Sequence, residues 1–360
     1  MAKYIWYSGA TDVTGQALAD ALSLTGIKGK PKTVRDGDII VGWGAKTKQA
    51  VNIAKATVLN HPDKIKANRN KIASLTTMYA NKDLKATIVP FCGSGSITSE
   101  LSESNPTMKL PIIGRTNYHQ GGKGFWTCIN SWHIQRAIDD GAQYFQNYID
   151  IKDEYRLHVA FGNVIYAVKK VENPAESGWI AQRKEKILNI AEKNNTNLEE
   201  ATIDYVLGRL AKEADLPDRI VRSNKRGWKF SGVQLKNVST SLQNAAKKAV
   251  EVTGLDFGAV DCAVGLDNLP YIIEINSGPG LQGTALQKYV DAFATKIDSI
   301  ENPKPGKVKQ AVDRVRNAVG SDKTKEAEAP SSKVNDTALV HLMNAVNSPE
   351  EARKILDLMN

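Results

Sequence analysis

Asp261, Glu274 and Asn276 carry side chains that could hold a cation. If they lie on one face of a hairpin, two carboxylates and an amide meet, and opposed carboxylates repel unless a cation sits between them. Carboxylate and amide oxygens with room for water and phosphate suit Mg²⁺. The alternative interpretation is that all three are solvated polar positions on a half-exposed hairpin.

The residues around them predict such a hairpin. Two β-branched-rich runs, 257–264 and 271–276, flank a segment of Gly, Asp, Asn and Pro at 265–270. With that segment as the loop, Val264 faces Tyr271. Continuing the ladder then places the two carboxylates directly opposite each other, with the amide two residues on along the same face.

A glycine-rich turn is a second candidate. Gly121, Gly122, Lys123 and Gly124 lie between two predicted strands, and Arg115 stands just before them. Amide groups of such a turn, together with the two cations, can face phosphates. The alternative is an ordinary mobile hairpin tip.

The apolar run 144–149 is expected to form a strand that contacts a flat adenine through backbone hydrogen bonds and apolar surface.

A further hairpin is predicted from strands 154–161 and 164–171, joined by a turn at Gly162–Asn163. Arg156 and Lys169 lie on it, either as phosphate ligands or on a solvated edge. His158 alternates with apolar neighbours, which favours a packed position.

Composition limits the classes of protein. A chain of 360 residues is long enough for two or three domains. Its 48 Lys and Arg against 39 Asp and Glu give a formal charge of +9, which favours anionic ligands such as nucleotides. The basic residues are spread along the chain, so a nucleic-acid partner is allowed but not favoured.

Cys92, Cys128 and Cys262 are widely spaced and show neither a disulfide nor a zinc pattern, which fits a reducing compartment. We find no signal-peptide pattern and no apolar run long enough to span a membrane, so we expect a cytoplasmic location and no membrane contact.

The elements that must position these residues begin with an α/β layer. Its strands are predicted at 3–7, 38–43 and 56–59, with a helix covering 17–22. A helix capped by Asp63 and ending near Ala80 follows, with Lys71 on the side opposite its apolar face. The next predictions are strands at 86–91, 110–115 and 125–129, a loop at 93–106, and a helix from Ser131 to Asp140 closed by Gly141.

The second half is predicted to contain a charged helical insert, 172–218, whose clearest helix is 198–214. A short strand at 220–224, a turn at 225–228 and a helix at 240–252 ended by Gly254 come next. A flexible linker at 301–336 then precedes helices at 337–346 and 349–359, which could dock on this domain, on another copy or on a partner.

The order of these features resembles the ATP-grasp superfamily, specifically its RimK-type (ribosomal-protein glutamate ligase-like) carboxylate–amine ligases. The resemblance covers roughly residues 1–300. The motifs that carry it are Arg222-Ser223-Asn224, Gly254-Leu255-Asp256 with Asp261, and the segment 274–281 (EINSGPGL).

The resemblance implies an α/β architecture in which two α+β subdomains hold ATP, with an N-terminal α/β domain and a C-terminal helical extension. Its domains fall on 1–80 (N-terminal), 81–150 (small subdomain), 151–300 (large subdomain with the insert), 301–336 (linker) and 337–360 (helical segment).

The family's site residues are carried over position by position. Its magnesium ligands fall on Asp261, Glu274 and Asn276, with two Mg²⁺ ions expected and Mn²⁺ as a substitute. The expected nucleotide ligands are Lys71, Arg115, Gly121, Gly122, Lys123, Gly124, Gln146, Asn147, Tyr148, Ile149 and Lys169. The expected catalytic residues are Arg156, Arg222 and Asn224, with Glu154 in the acidic place of the family's D-x-R pattern.

Two of these positions depart from the family pattern. Arg115 stands where a Lys is common, and Asn147 precedes Tyr148 where a Glu is common. The adenine contacts are therefore expected to come from the backbone and from Gln146.

The function implied is an ATP-dependent ligase that joins a carboxylate to an amine through an acyl phosphate. An amino acid is one expected substrate, and a peptide, a protein or a small molecule is the expected acceptor. The alternative is a protein that is not an enzyme: a catalytically inactive nucleotide-binding or assembly module that acts through its C-terminal helices.

Overall fold

The computed structural model describes residues 1–7, 12–27, 34–45, 53, 55–101, 107–118, 124–172, 188, 192, 222 and 228–303. The chain divides into two compact units, Met1–Ala294 and Thr295–Asn360. The helices predicted at 198–214, 337–346 and 349–359, most of the linker, and the strand predicted at 220–224 apart from Arg222 lie outside the described residues.

The described residues form thirteen strands and seven α-helices. The strands are β1 Lys3–Tyr7, β2 Thr25–Ile27, β3 Ile39–Trp43, β4 Thr57–Leu59, β5 Phe91–Gly93, β6 Ile112–Arg115, β7 Phe125–Cys128, β8 Tyr144–Asn147, β9 Ile151–Ala160, β10 Asn163–Glu172, β11 Trp228–Gly232, β12 Phe257–Gly265 and β13 Pro270–Asn276. The helices are α1 Val13–Ala21, α2 Pro62–Arg69, α3 Lys71–Tyr79, α4 Ile97–Glu100, α5 Ser131–Asp139, α6 Thr240–Val252 and α7 Gly283–Glu301.

The N-terminal layer is a parallel sheet with the strand order β2-β1-β3-β4. Every residue of β3 is buried, as expected for a strand inside a parallel sheet with both faces covered. The three strands predicted in this region are confirmed, whereas the short edge strand β2 was not predicted.

The helix predicted from Asp63 to Ala80 is wrong in two respects. Asn70 has an extended backbone, with φ −75° and ψ 105°, so two helices form instead of one. The side chain of Asn70 accepts from the Ala73 amide and caps α3. The cap of α2 is His61, whose Nδ1 accepts from the Asp63 amide.

The small antiparallel sheet has the order β5-β8-β6-β7. The predicted strand 86–91 is wrong for most of its length, because Lys85–Thr87 forms a 3₁₀ turn and the ladder begins at Phe91. The loop predicted at 93–106 contains a 3₁₀ turn at Ser94–Ser96 and the one-turn helix α4. Asn130 rather than Ser131 caps α5.

The large antiparallel sheet has the order β11-β10-β9-β12-β13. Helix α6 packs on it and buries Leu242, Ala245, Ala246, Ala249 and Val250, a spacing that gives one apolar stripe. The predicted helix 240–252 is confirmed, and Gly254 follows it with φ +70°. The turn predicted at 225–228 is wrong at Trp228, which begins β11.

Helix α7 was not predicted. Its first half brings Tyr289 and Phe293 against Trp43 of β3 and Phe257 of β12, with ring centroids between 4.7 and 6.4 Å apart. This aromatic cluster joins the N-terminal sheet to the large sheet. Among the described helices, none is long and apolar enough to cross a membrane.

Candidate functional site

The charged candidate residues of β9, β12 and β13 lie on one face of the large sheet. Strand alternation and register place Glu154 and Arg156 of β9, Asp261 of β12, and Glu274 and Asn276 of β13 on the same face. The opposite face carries apolar residues that pack under α6. The sheet is therefore amphipathic, with a core on one side and a polar site on the other.

The register of the β12–β13 hairpin differs from the prediction at its tip and agrees with it at the site. Val264 pairs with Pro270, so the predicted pairing with Tyr271 is wrong. A β-bulge then inserts Ile273 as an extra residue on β13. The bulge restores the predicted pairing of the two carboxylates.

Arg156 and Asp261 form a two-point ion pair. Nε donates to Oδ1 at 2.6 Å and Nη2 donates to Oδ2 at 2.8 Å. The side chains are 22% and 9% exposed. Burial alone lowers the pKa of the Arg156 guanidinium, but the Asp261 carboxylate reverses this and the pKa is raised. The guanidinium therefore stays charged in the folded protein.

The Asn276 amide lies between the two carboxylates. Its Nδ2 is 3.4 Å from Asp261 Oδ2 and 3.2 Å from Glu274 Oε1. The other Glu274 oxygen, Oε2, is 3.1 Å from Lys71 Nζ, which α3 supplies. Two cations, Arg156 and Lys71, and the Asn276 N–H group thus contact these carboxylates.

This donor set fits a divalent cation. An amide nitrogen that points at two carboxylate oxygens marks a place of negative potential, and rotation of the amide presents its oxygen to the same place. Carboxylate and amide oxygens are suitable Mg²⁺ ligands. Within the described residues there is no cluster of three or more His, Cys, Asp or Glu that could hold a metal, so Asn276 is needed to complete the set.

Glu154 is buried and pairs with Lys170 on the neighbouring strand β10. Burial raises the pKa of Glu154, and Lys170 opposes that rise. Lys170 thus faces the site. Lys169, the candidate nucleotide ligand, lies on the opposite face of the sheet, where its Nζ is 2.6 Å from Asp153 Oδ1.

The position of Lys170 rather than Lys169 on the polar face follows from a bulge in the β9–β10 hairpin. The turn consists of Phe161 and Gly162, with φ +51° and +79°, so the turn predicted at Gly162–Asn163 is wrong by one residue. The bulge at Ile165 then shifts the register by one residue, which brings Lys170 instead of Lys169 to the face of Glu154. Without the bulge, a two-residue turn at either position would leave Lys169 on the face of Glu154 and Arg156, so a sequence argument from the turn alone does not find Lys170.

Arg222 reaches the start of β9, where its Nη2 donates to the Ile151 carbonyl at 2.8 Å. Its Nε is buried and has no hydrogen-bond partner among the described residues. The candidate residue Asn224 lies outside the described residues. The candidates of the glycine-rich turn, Gly121, Gly122 and Lys123, also lie outside them.

The small sheet brings Arg115 and Tyr144 together, since the two residues pair across β6 and β8. Burial raises the pKa of Tyr144 to about 12, Arg115 opposes the rise, and Glu274 adds to it. Tyr144 therefore lies within electrostatic reach of both sheets. Gly124 closes the β6–β7 turn with φ +60°, and a Cβ there would lie 2.4 Å from Thr116 Oγ1.

The adenine candidates lie at the end of β8, and some of their polar groups already have partners. The Asn147 side chain accepts from the Lys109 amide at 2.9 Å and donates to the Thr107 carbonyl at 3.3 Å. The Tyr148 amide donates to the Pro111 carbonyl. Gln146 pairs with Phe91 and Ile113 through the backbone ladder, and Ile149 follows the strand.

Two buried asparagines fix the hairpin to preceding elements. Asn60 accepts from the amides of Asp256 and Phe257 and donates to the Phe257 carbonyl at 2.9 Å. Asn68 Nδ2 donates to the Ile275 carbonyl at 2.9 Å. Neither residue was predicted, because a buried Asn and a turn Asn look alike in a single sequence.

The segment after β13 meets the N-terminal layer at Gly44 and Thr14. A Cβ on Gly278 would lie 2.8 Å from the Cα and N of Gly44, so the two backbones are in contact. The Leu281 amide donates to Thr14 Oγ1 at 3.1 Å. The exit of the hairpin is therefore held against the first sheet.

The three-sheet arrangement is similar to that of known structures. No protein-family model and no curated protein matches the sequence. Among solved structures, the ATP-grasp ligase PsnB complexed with its minimal precursor has a TM-score of 0.50 at 12% identity, over 84% of this chain and 98% of that chain. This chain has the ATP-grasp fold.

Two further complexes of the same ligase give the same result. PsnB with a phosphomimetic variant of the minimal precursor, Mg and ADP has a TM-score of 0.50 at 12% identity, over 83% of this chain and 97% of that chain. PsnB with precursor peptide PsnA2 and AMPPNP has a TM-score of 0.50 at 11% identity, over 82% and 97%. The predicted ATP-grasp architecture is confirmed, and its RimK-type branch stays a prediction.

Proposed function

We propose that this ATP-grasp chain is an ATP-dependent ligase that joins a carboxylate to an amine. The observation that carries the proposal is the convergence of Asp261, Glu274 and Asn276 with Arg156 on one face of the large sheet. A fold alone does not define an activity, so the proposal depends on these side chains, which bring two carboxylates, an amide and a guanidinium to one polar face.

In this proposal Asp261, Glu274 and Asn276 hold Mg²⁺, with two ions expected and Mn²⁺ as a substitute. The metal would neutralise charge on the ATP phosphates during transfer. Lys71, which contacts Glu274, would hold a phosphate oxygen on the same side. Arg115 and the turn residues Gly121, Gly122, Lys123 and Gly124 would face the phosphates from the small sheet.

The reaction would proceed in two steps. A substrate carboxylate attacks the γ-phosphoryl group of ATP and forms an acyl phosphate and ADP. An amine then attacks the acyl carbon, and phosphate leaves as the amide forms. Arg156, Arg222 and Asn224 would bind the anionic oxygens in both steps.

The adenine would lie against β8 and the residues after it, Gln146–Ile149. Since the Asn147 amide group and the Tyr148 N–H already have protein partners, Gln146 and the apolar surface of this segment are the groups we propose for the base. On the large sheet we propose Lys170 in place of Lys169, because Lys170 lies on the face of the carboxylates and Lys169 on the opposite face.

A peptide or protein acceptor is favoured over a small molecule, because the PsnB structures contain a precursor peptide. An amino acid is the second expected substrate. A nucleic-acid acceptor is consistent with the basic composition but has no further support. The cytoplasmic location and the docking of the C-terminal helices, in cis or on another chain, stay predictions.

The test is a screen for Mg²⁺-dependent ADP release with mixtures of amino acids and peptides, followed by mass spectrometry of the product. We expect one mixture to stimulate release and to yield a product lighter by one water than the sum of its substrates. Glu274→Gln should abolish the stimulation, and Glu251→Gln, on the exposed side of α6, should not. The proposal fails if Glu274→Gln retains wild-type release, or if every mixture is inert while ATP still binds, which is the behaviour of an inactive nucleotide-binding module.

A further inference from the structure

Each of the three candidate arginines has an aromatic ring over its guanidinium. The distance from Cζ to the ring centroid is 5.2 Å for Arg115 over Phe125, 4.8 Å for Arg156 over Phe230, and 4.7 Å for Arg222 over Trp228. These distances lie within the range of a cation–π contact. The pairing recurs on two different sheets.

Strand β11 supplies two of these rings. Trp228 and Phe230 are two residues apart, so they stand on the same face, and the register of β10 and β11 puts Phe230 opposite Lys170. That face is the one that carries Arg156 and Glu154. The rings therefore border the polar site along its edge strand.

Phe230 is exposed, at 45% of its surface, although it lies beside a buried ion pair. Its ring also lies 5.8 Å from Lys170 Nζ. A solvent-exposed Phe gains little from burial, so the contacts with the two cations are its main interactions in this position.

We propose that Phe230 and Trp228 are positioning residues that hold the guanidiniums of Arg156 and Arg222 flat at the edge of the site. A ring over one face restricts rotation of the guanidinium and leaves its in-plane N–H groups for anions. For Arg156 the ring provides a second support that does not depend on Asp261. The role assigned to the held guanidiniums, binding substrate oxygens, rests on the proposed ligase function.

The test measures the rate of chemical modification of each guanidinium, without any substrate. Phenylglyoxal, which modifies accessible arginines, is applied to the full chain, and the rate at each arginine is read by peptide mass spectrometry. Loss of a cation–π contact should raise the rate at Arg156 in Phe230→Leu by about two- to fivefold. Phe230→Tyr, which keeps the ring, should leave that rate unchanged.

Trp132→Leu is the matched control. Trp132 is exposed and lies 5.4 Å from Arg136 Cζ on α5, outside the site. The Trp132→Leu variant should raise the modification rate at Arg136 and leave the modification rate at Arg156 unchanged. Trp228→Leu should act in the same way on Arg222.

Unchanged modification of Arg156 in Phe230→Leu, or an equal rise in Phe230→Leu and Phe230→Tyr, overturns the proposal. A rise at all arginines, as a loosened fold gives, also overturns it. Because phenylglyoxal needs no turnover, a selective rise at Arg156 stands even if no mixture stimulates ADP release, and then the ligase function alone has failed.

Discussion

Arg156 and Asp261, 105 residues apart in the sequence, are joined by two hydrogen bonds of 2.6 and 2.8 Å. Both side chains are largely buried, so each neutralises a charge that the other would leave isolated. The pair connects the two central strands of the large sheet at the point where the carboxylates collect.

Asp261→Asn should therefore reduce stability. The Arg156 guanidinium would keep its charge but lose its closest carboxylate, and we expect the free energy of unfolding to fall by about 2 to 3 kcal/mol. Urea denaturation measures the change. Glu251→Gln, which removes an exposed partner of Lys248, should produce no measurable change. Equal effects of the two variants would contradict this account of the pair.

Gly278→Ala should be poorly tolerated, because its Cβ would lie 2.8 Å from the backbone of Gly44. The backbones must separate, and we expect a loss of about 1 to 3 kcal/mol in the free energy of unfolding. Gly280→Ala is the matched control, since a Cβ there meets no atom within 4 Å. Thermal denaturation of both variants is the measurement, and similar midpoints would show that the contact at Gly44 is unimportant.

His158 should make the protein sensitive to acid. Burial, with a contribution from Arg156, lowers the pKa of His158 from 6.5 to about 3. The unfolded chain therefore takes up this proton near pH 6.5, and the folded chain does not until about pH 3. The stability due to neutral His158 is complete above pH 6.5 and is lost as the pH falls toward 3.

The measurement compares the wild type with His158→Gln, which cannot titrate. Between pH 6.5 and about 4.5 the wild type should lose about 2 to 3 kcal/mol more than the variant. Because both proteins carry the same carboxylates, the difference isolates the histidine. Parallel losses in the two proteins would contradict the buried, neutral state.

The three cysteines should be unreactive in the folded protein. All three are buried, and burial raises the pKa of Cys92 and Cys128 to about 11 and that of Cys262 well above its ordinary value. Thiolate is the reactive form, so a disulfide reagent such as DTNB should react only after denaturant is added. Fast reaction of a thiol in the native protein would place that cysteine at the surface.

The site was predictable where a short pattern defined it. The alternation in β12 and β13 predicted Asp261, Glu274 and Asn276 on one face, and the structure places them there. The predicted register was nevertheless wrong at the tip, and the bulge at Ile273 compensated for it. A single sequence carries no clear signal for a bulge at an isoleucine, so the agreement at the carboxylates depended on two shifts that cancel.

Other features depended on contacts between distant segments. Asn70 ends one helix and caps the next, and a continuous helical pattern from Asp63 to Ala80 conceals that break. Lys169 and Lys170 are adjacent and chemically identical, and the bulge at Ile165 decides which of them faces the site. Phe230 and Trp228 were not chosen as site residues, since their contacts are visible only after β11 joins the sheet.

The pairing of β9 with β12 also determines when the site can form. In that ladder Arg156 pairs with Asp261 and His158 pairs with Ala259. Strand β9 therefore cannot form this ladder until β12, about a hundred residues later in the chain, has been synthesised. In a nascent chain whose β12 has not yet left the ribosome, Arg156 has no Asp261 carboxylate to pair with. Truncated products that end before β12 would therefore lack every proposed magnesium ligand, and nucleotide-dependent chemistry would begin only when synthesis of the large sheet is complete.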